Sequence, residues 1–85
     1  MNALPLIRLG ESLRDMRTRR ALTQANLAQL AGVTRLKVIQ AERGDPSVSL
    51  RTYAAVAQAL GAELTLVPKR RPTLEEAKEF FGDGE

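Results

Sequence analysis

The chain has 85 residues with neither cysteine nor histidine, so one small domain with a short appendage is expected, without a disulfide or an ordinary zinc staple. Lys and Arg number 13 against 10 Asp and Glu, and the net +3 is unevenly spread: residues 1–61 carry nine basic and four acidic side chains, residues 62–85 four and six. There is no His or Cys for proton transfer or nucleophilic attack, and Ser12, Ser47 and Ser49 read as surface or capping residues. Neither a Gly-rich phosphate loop nor a separated carboxylate pair in a plausible pocket is visible, so no enzyme, cofactor or metal is expected.

Met1 to Ile7 is apolar and interrupted by Pro5, and reads as an arm ahead of the domain. From Leu9 to about Arg20, Leu9, Leu13 and Met16 recur among charges, the pattern of an amphipathic first helix, and Leu22 closes the turn that follows.

Thr23 to Gly44, TQANLAQLAGVTRLKVIQAERG, holds two short helical patterns back to back. Thr23 and Thr34 can each offer a side-chain oxygen to the free N–H groups of a first helical turn. Leu27, Ala28, Leu30 and Ala31 follow the first cap at three- and four-residue spacings, and Val38 and Ala41 repeat the spacing after the second. Gly32 stands at the join, where a chain leaving one helix for another needs positive φ. Two helices joined by Gly-Val-Thr form a helix-turn-helix, which either presents its second helix to the DNA major groove or simply packs as a hairpin.

Spacing does not separate those two readings; residue type does. Gln24 follows the first cap, and Arg35 and Lys37, with Gln40 one turn on, open the second helix. Arg and Gln are suited to bidentate reading of base edges. With Val38 and Ala41 turned inward, Arg35, Leu36, Ile39 and Gln40 lie on or near the outward face. Arg35 is expected to read guanine and Leu36 to touch a thymine methyl. The alternative for Leu36 and Ile39 is packing inside the domain or against a protein. Lys37 and Arg43 suit phosphate, where they would add affinity without choosing sequence.

Gly44 to Ser47 is a polar turn. Ser49 caps a fourth helix with the buried stripe Leu50, Tyr53, Val56, Ala57 and Leu60, ended by Gly61. Ala62 to Val67 alternates as a strand: Glu63, Leu64, Thr65, Leu66 and Val67 have no convincing partner in the chain, and a lone strand leaves backbone groups unpaired. Pairing with the same segment of a second copy, in a twofold homodimer, satisfies them. Residues 68–72, PKRRP, form a basic linker that is either solvated or in contact with phosphate. Residues 73–76, TLEE, could cap a short acidic helix whose apolar face would carry Leu74, Ala77, Phe80 and Phe81. An aromatic patch in an acidic tail suits a protein partner, and Leu74, Phe80 and Phe81 are assigned to that role.

These landmarks together resemble the DNA-binding domain of the phage-repressor, Cro and Xre family, whose usual run is T-Q-x-x-L-A, A-G-V-[ST] and E-R-G. Thr23, Gln24, Leu27, Ala28, Ala31, Gly32, Val33, Thr34, Glu42, Arg43 and Gly44 occupy those positions, within a similarity spanning roughly residues 9–61. The resemblance implies an all-α, lambda-repressor-like domain of four to five helices, to which the C-terminal β-strand pairing across a dimer is added. It also implies an ion pair between Arg17 and Glu42, and a DNA contact for Gln24. The run L-G-A-E-L-T-L-V-P-K is similar to the antitoxins of the HipAB type, which implies a kinase-like toxin as partner.

The expected organisation is therefore a DNA-binding domain over residues 1–61, a dimerising strand over 62–67, and a linker with tail over 68–85. The DNA-facing set is Thr23, Gln24, Thr34, Arg35, Leu36, Lys37, Gln40 and Arg43. The expected function is a sequence-specific repressor of an inverted-repeat operator in double-stranded DNA, acting as an autoregulating antitoxin. The alternatives are a stand-alone repressor and a protein-interaction module using the same face. The apolar runs are too short for a membrane span and no secretory segment is visible, so a cytoplasmic protein is expected.

Overall fold

The computed structural model describes residues 4–68, with side chains from residue 6 onward. Four helices follow one another: α1 (Leu4–Arg19), α2 (Gln24–Ala31), α3 (Arg35–Glu42) and α4 (Leu50–Ala59). The described part is thus all-helical. No helix in it is long and apolar enough to cross a membrane.

Helix α1 begins earlier than its hydrophobic spacing suggests. Residues 4–7, read from sequence as part of an arm, belong to it. Pro5 does not prevent this, because an N–H in the first turn has no intrahelical acceptor and the proline ring already fixes a helical φ. Leu6 and Leu9 rest on the edge of the core, and Leu13 lies inside it. The helix ends at Arg19; two residues on, Ala21 takes φ +58°, and the Leu22 N–H returns 3.2 Å to the Arg17 carbonyl.

Local chemistry accounts for the next three starts. The Thr23 hydroxyl oxygen accepts from the Asn26 N–H at 2.9 Å, and the Asn26 side chain accepts from the Thr23 N–H at 3.3 Å, a capping box with Asn in the third position. Thr34 accepts from the Lys37 N–H and Ser49 from the Thr52 N–H, both at 3.1 Å. Between α2 and α3, Gly32 adopts φ +74°, and the N–H groups of Gly32 and Val33 return to the Ala28 carbonyl at 2.9 and 3.0 Å. The chain can turn there without an intervening loop.

Leu13, Leu27, Val38, Tyr53, Val56 and Leu60 form the centre of the core, joined by Val48 from the loop before α4. The Tyr53 hydroxyl donates to the Asp45 carbonyl at 2.9 Å, which ties that loop to α4. Leu50 is not in the buried stripe assigned to it: it opens α4 at 73% exposed. Leu30 likewise points outward from α2. Two glycines let α1 lie close against the end of α3. A Cβ on Gly10 would meet the Glu42 carbonyl oxygen at 2.5 Å, and one on Gly44 would meet the Leu6 carbonyl oxygen at 2.5 Å.

Residues 62–68 follow α4 without helix, and no strand forms among the described residues. An extended segment needs a second one beside it, and the N-terminal candidate is consumed by α1. Leu64 packs against the core edge, while Leu66 is 98% exposed, so the two expected to share a face do not share an environment. Most of the linker and the acidic tail, including Leu74, Phe80 and Phe81, lie outside the described residues.

Candidate nucleic-acid interface

Helix α3 is divided between two environments. Val38 and Ala41 are fully buried, and Glu42 is buried with them. Arg35, Leu36, Lys37 and Arg43 are exposed, Leu36 at 59%, while Ile39 and Gln40 are half-buried. Leu36 therefore does not pack inside the domain. The Thr34 cap leaves the N-terminal end of α3 open to solvent, with Arg35, Leu36 and Lys37 as its first three residues. Thr23 is exposed at the start of α2 and Gln24 is half-buried beside it.

Beneath this face lies one buried carboxylate. Glu42 Oε2 accepts from Arg17 Nε at 2.5 Å, and Glu42 Oε1 accepts from Arg17 Nη2 at 3.2 Å. The remaining Arg17 arm donates from Nη1 to the Leu22 carbonyl at 2.8 Å. The Arg17 and Glu42 side chains are 11% and 4% exposed, so both charges are largely removed from water and satisfied by one another. Gln24 Nε2 donates to the same Glu42 Oε1 at 3.1 Å. A single side chain of α3 thus takes hydrogen bonds from α1 and from the first residue of α2.

Two shallow hollows flank Gln24 on this face. One is bordered by Arg14, Ile39 and Arg43, the other by Thr23, Ala25 and Arg35. The structure thereby brings Thr23, Gln24, Arg35 and Arg43 to one surface, with Arg17 and Glu42 below it. Arg14 belongs to this surface and was not singled out from sequence, although it stands three residues before Arg17 and so on the same face of α1. The Gln24–Glu42 bond was also not foreseen, since only the fold brings residues 24 and 42 together.

The loop after α3 carries a second polar feature. The Ser47 N–H donates to Asp45 Oδ1 at 2.8 Å. This hydrogen bond holds the Asp45 carboxyl below its ordinary range, with the Lys37 charge adding to the effect. Burial raises the Tyr53 hydroxyl above its ordinary value, and the Asp45 charge pushes it the same way.

The family described as helix-turn-helix domain matches the chain over residues 8–69. The crystal structure of the restriction-modification controller protein C.AhdI from Aeromonas hydrophila is similar, with 40% sequence identity and a TM-score of 0.63 over 71% of this chain and 91% of that one. No curated protein matches the chain.

Proposed function

Because the chain belongs to the helix-turn-helix domain family, we propose that it is a sequence-specific transcriptional regulator that inserts the N-terminal end of α3 into the DNA major groove. The observation that carries this reading is the division of α3, which buries Val38 and Ala41 and leaves Arg35, Leu36 and Lys37 exposed on a single open end. Arg35 reads a guanine edge and Leu36 packs on a thymine methyl. Lys37, Arg43 and the start of α2 at Thr23 hold the phosphate backbone, and Gln24 beside it faces the same DNA surface. The regulator acts as a homodimer joined through residues 62–67, where Leu66 and Val67 stand exposed, and so recognises an inverted repeat with half-sites about 34 Å apart.

The likeness to a restriction-modification controller supports control of restriction-modification genes, including its own. The HipAB-type antitoxin, with a kinase-like toxin held by the tail at Leu74, Phe80 and Phe81, is the second reading; it rests on the similarity of the run L-G-A-E-L-T-L-V-P-K. The genes beside its own separate the two. Mapping protected bases upstream of its gene tests both: protection of two symmetric half-sites is expected, and a promoter left unprotected at low salt removes the DNA-binding reading altogether, leaving the protein-interaction module.

A further inference from the structure

The buried carboxylate of Glu42 fixes which edge of Gln24 is turned to the surface. A carboxylate only accepts hydrogen bonds, so the Gln24 atom that faces Glu42 Oε1 at 3.1 Å has to be the amide nitrogen. One of its two N–H groups is then committed inward. What remains is one N–H donor and the carbonyl acceptor Oε1. Glu42 is itself immobilised by two bonds from Arg17, so the amide is anchored to a rigid base. Gln24 remains half-buried and borders both hollows of the surface that carries Arg35 and Arg43.

We propose that Glu42 is a positioning residue for base recognition, and that the Gln24 edge it orients, one donor beside one acceptor, reads adenine. In the major groove adenine offers N7 as acceptor beside the N6 amine as donor, and this is the pattern a glutamine amide matches with both atoms. A phosphate, which only accepts, would engage the free N–H alone and leave the Gln24 Oε1 to solvent, whereas adenine engages both atoms. Anchoring the amide before DNA arrives removes a rotamer search that a free glutamine would have to complete on binding. The assignment rests on the regulator reading above and adds a second base-reading residue to Arg35, on a different helix.

The test uses the full chain and a panel of operator duplexes in which each position carries each of the four bases. The wild-type protein should prefer adenine at one position per half-site by about 5- to 150-fold, and Gln24→Ala should flatten that position alone. Purine, which lacks the exocyclic amine, should weaken the wild-type complex there and leave Gln24→Ala unaffected. A uniform loss across all duplexes in Gln24→Ala, or a preference for another base at the flattened position, overturns the assignment. Glu42→Gln should blunt the adenine preference while Arg35's position keeps its own. Where that variant does not fold, the side-chain amide of Gln24 in the free wild-type chain decides the positioning role: a nitrogen order parameter above about 0.6 is expected, and a freely reorienting amide refutes it. A wild-type protein with no base preference anywhere sinks the regulator reading instead, and is recognised by the loss of Arg35's position as well.

Discussion

The guanidinium of Arg17 closes on the carboxylate of Glu42 across 25 positions of sequence, and α1 and α3 are held in register by that contact. Glu42→Gln or Arg17→Ala leaves a buried charge without its counterpart, and each should lower unfolding free energy by about 3–5 kcal/mol in a denaturant titration. The double variant should lose clearly less than the sum of the two. Unaltered midpoints in both single variants would mean the pair contributes nothing.

Gly10 faces the carbonyl oxygens of Ala41 and Glu42. Gly10→Ala places a methyl where a Cβ would lie 2.5 Å from backbone, and backbone cannot swing aside as a long side chain does. A loss of about 1–3 kcal/mol is expected despite the better helix propensity of Ala. A gain in melting temperature would show that α1 can lift off without cost.

Ala21 takes the left-handed conformation at φ +58°. That region costs an L-residue about 1–2 kcal/mol, and the extra freedom of glycine in the unfolded chain returns roughly 0.4–1 kcal/mol of it. Ala21→Gly should therefore stabilise by about 0.5 kcal/mol or slightly more, read as a higher denaturation midpoint. A lower midpoint would assign Ala21 a packing role instead.

The surface charges divide by task in the proposed complex. Lys37→Ala or Arg43→Ala should weaken binding to every operator variant alike and reduce the slope of log affinity against log salt by about 1 per site. Arg35→Ala should instead erase discrimination at one guanine. If Arg35→Ala weakens all sequences equally, Arg35 touches phosphate.

Asp45 gives a pH signature. Its carboxyl is held below 3.8 by the Ser47 hydrogen bonds and Lys37, so the anion is favoured in the folded state. The resulting stabilisation is complete above the unfolded value near 3.8 and is lost as pH falls through the lower folded value. Asp45→Ala should flatten stability against pH in that acid window and leave the slope near neutrality alone. An identical acid slope in the two proteins would rule the contribution out.

The capping residues were legible because their chemistry is local. Thr23, Thr34 and Ser49 each bond an N–H three residues on, and the distance between them in sequence sets the helix lengths. The outward residues of α3 were legible from the same spacing, once Val38 and Ala41 had fixed the inward direction. What could not be read depends on residues far apart in the chain. Gly10 is small because α3 ends against it, Gly44 because α1 begins against it, and Val48 is buried because the loop folds under Tyr53. Leu50 misled because a helix start can carry an apolar residue off the core side. Residues 62–67 take no strand pairing within the described residues, because alternation describes a strand's faces and the neighbour expected for it belongs to a second copy.

Helices α2 and α3 are eight residues each, below the roughly 12–15 at which a helix sustains itself in water. The pair that would grip an operator is consequently not a detachable device. Any nick in α1 or α4 that melts the bundle also dissolves the grip, so a proteolytic fragment of this chain would keep no residual hold on DNA.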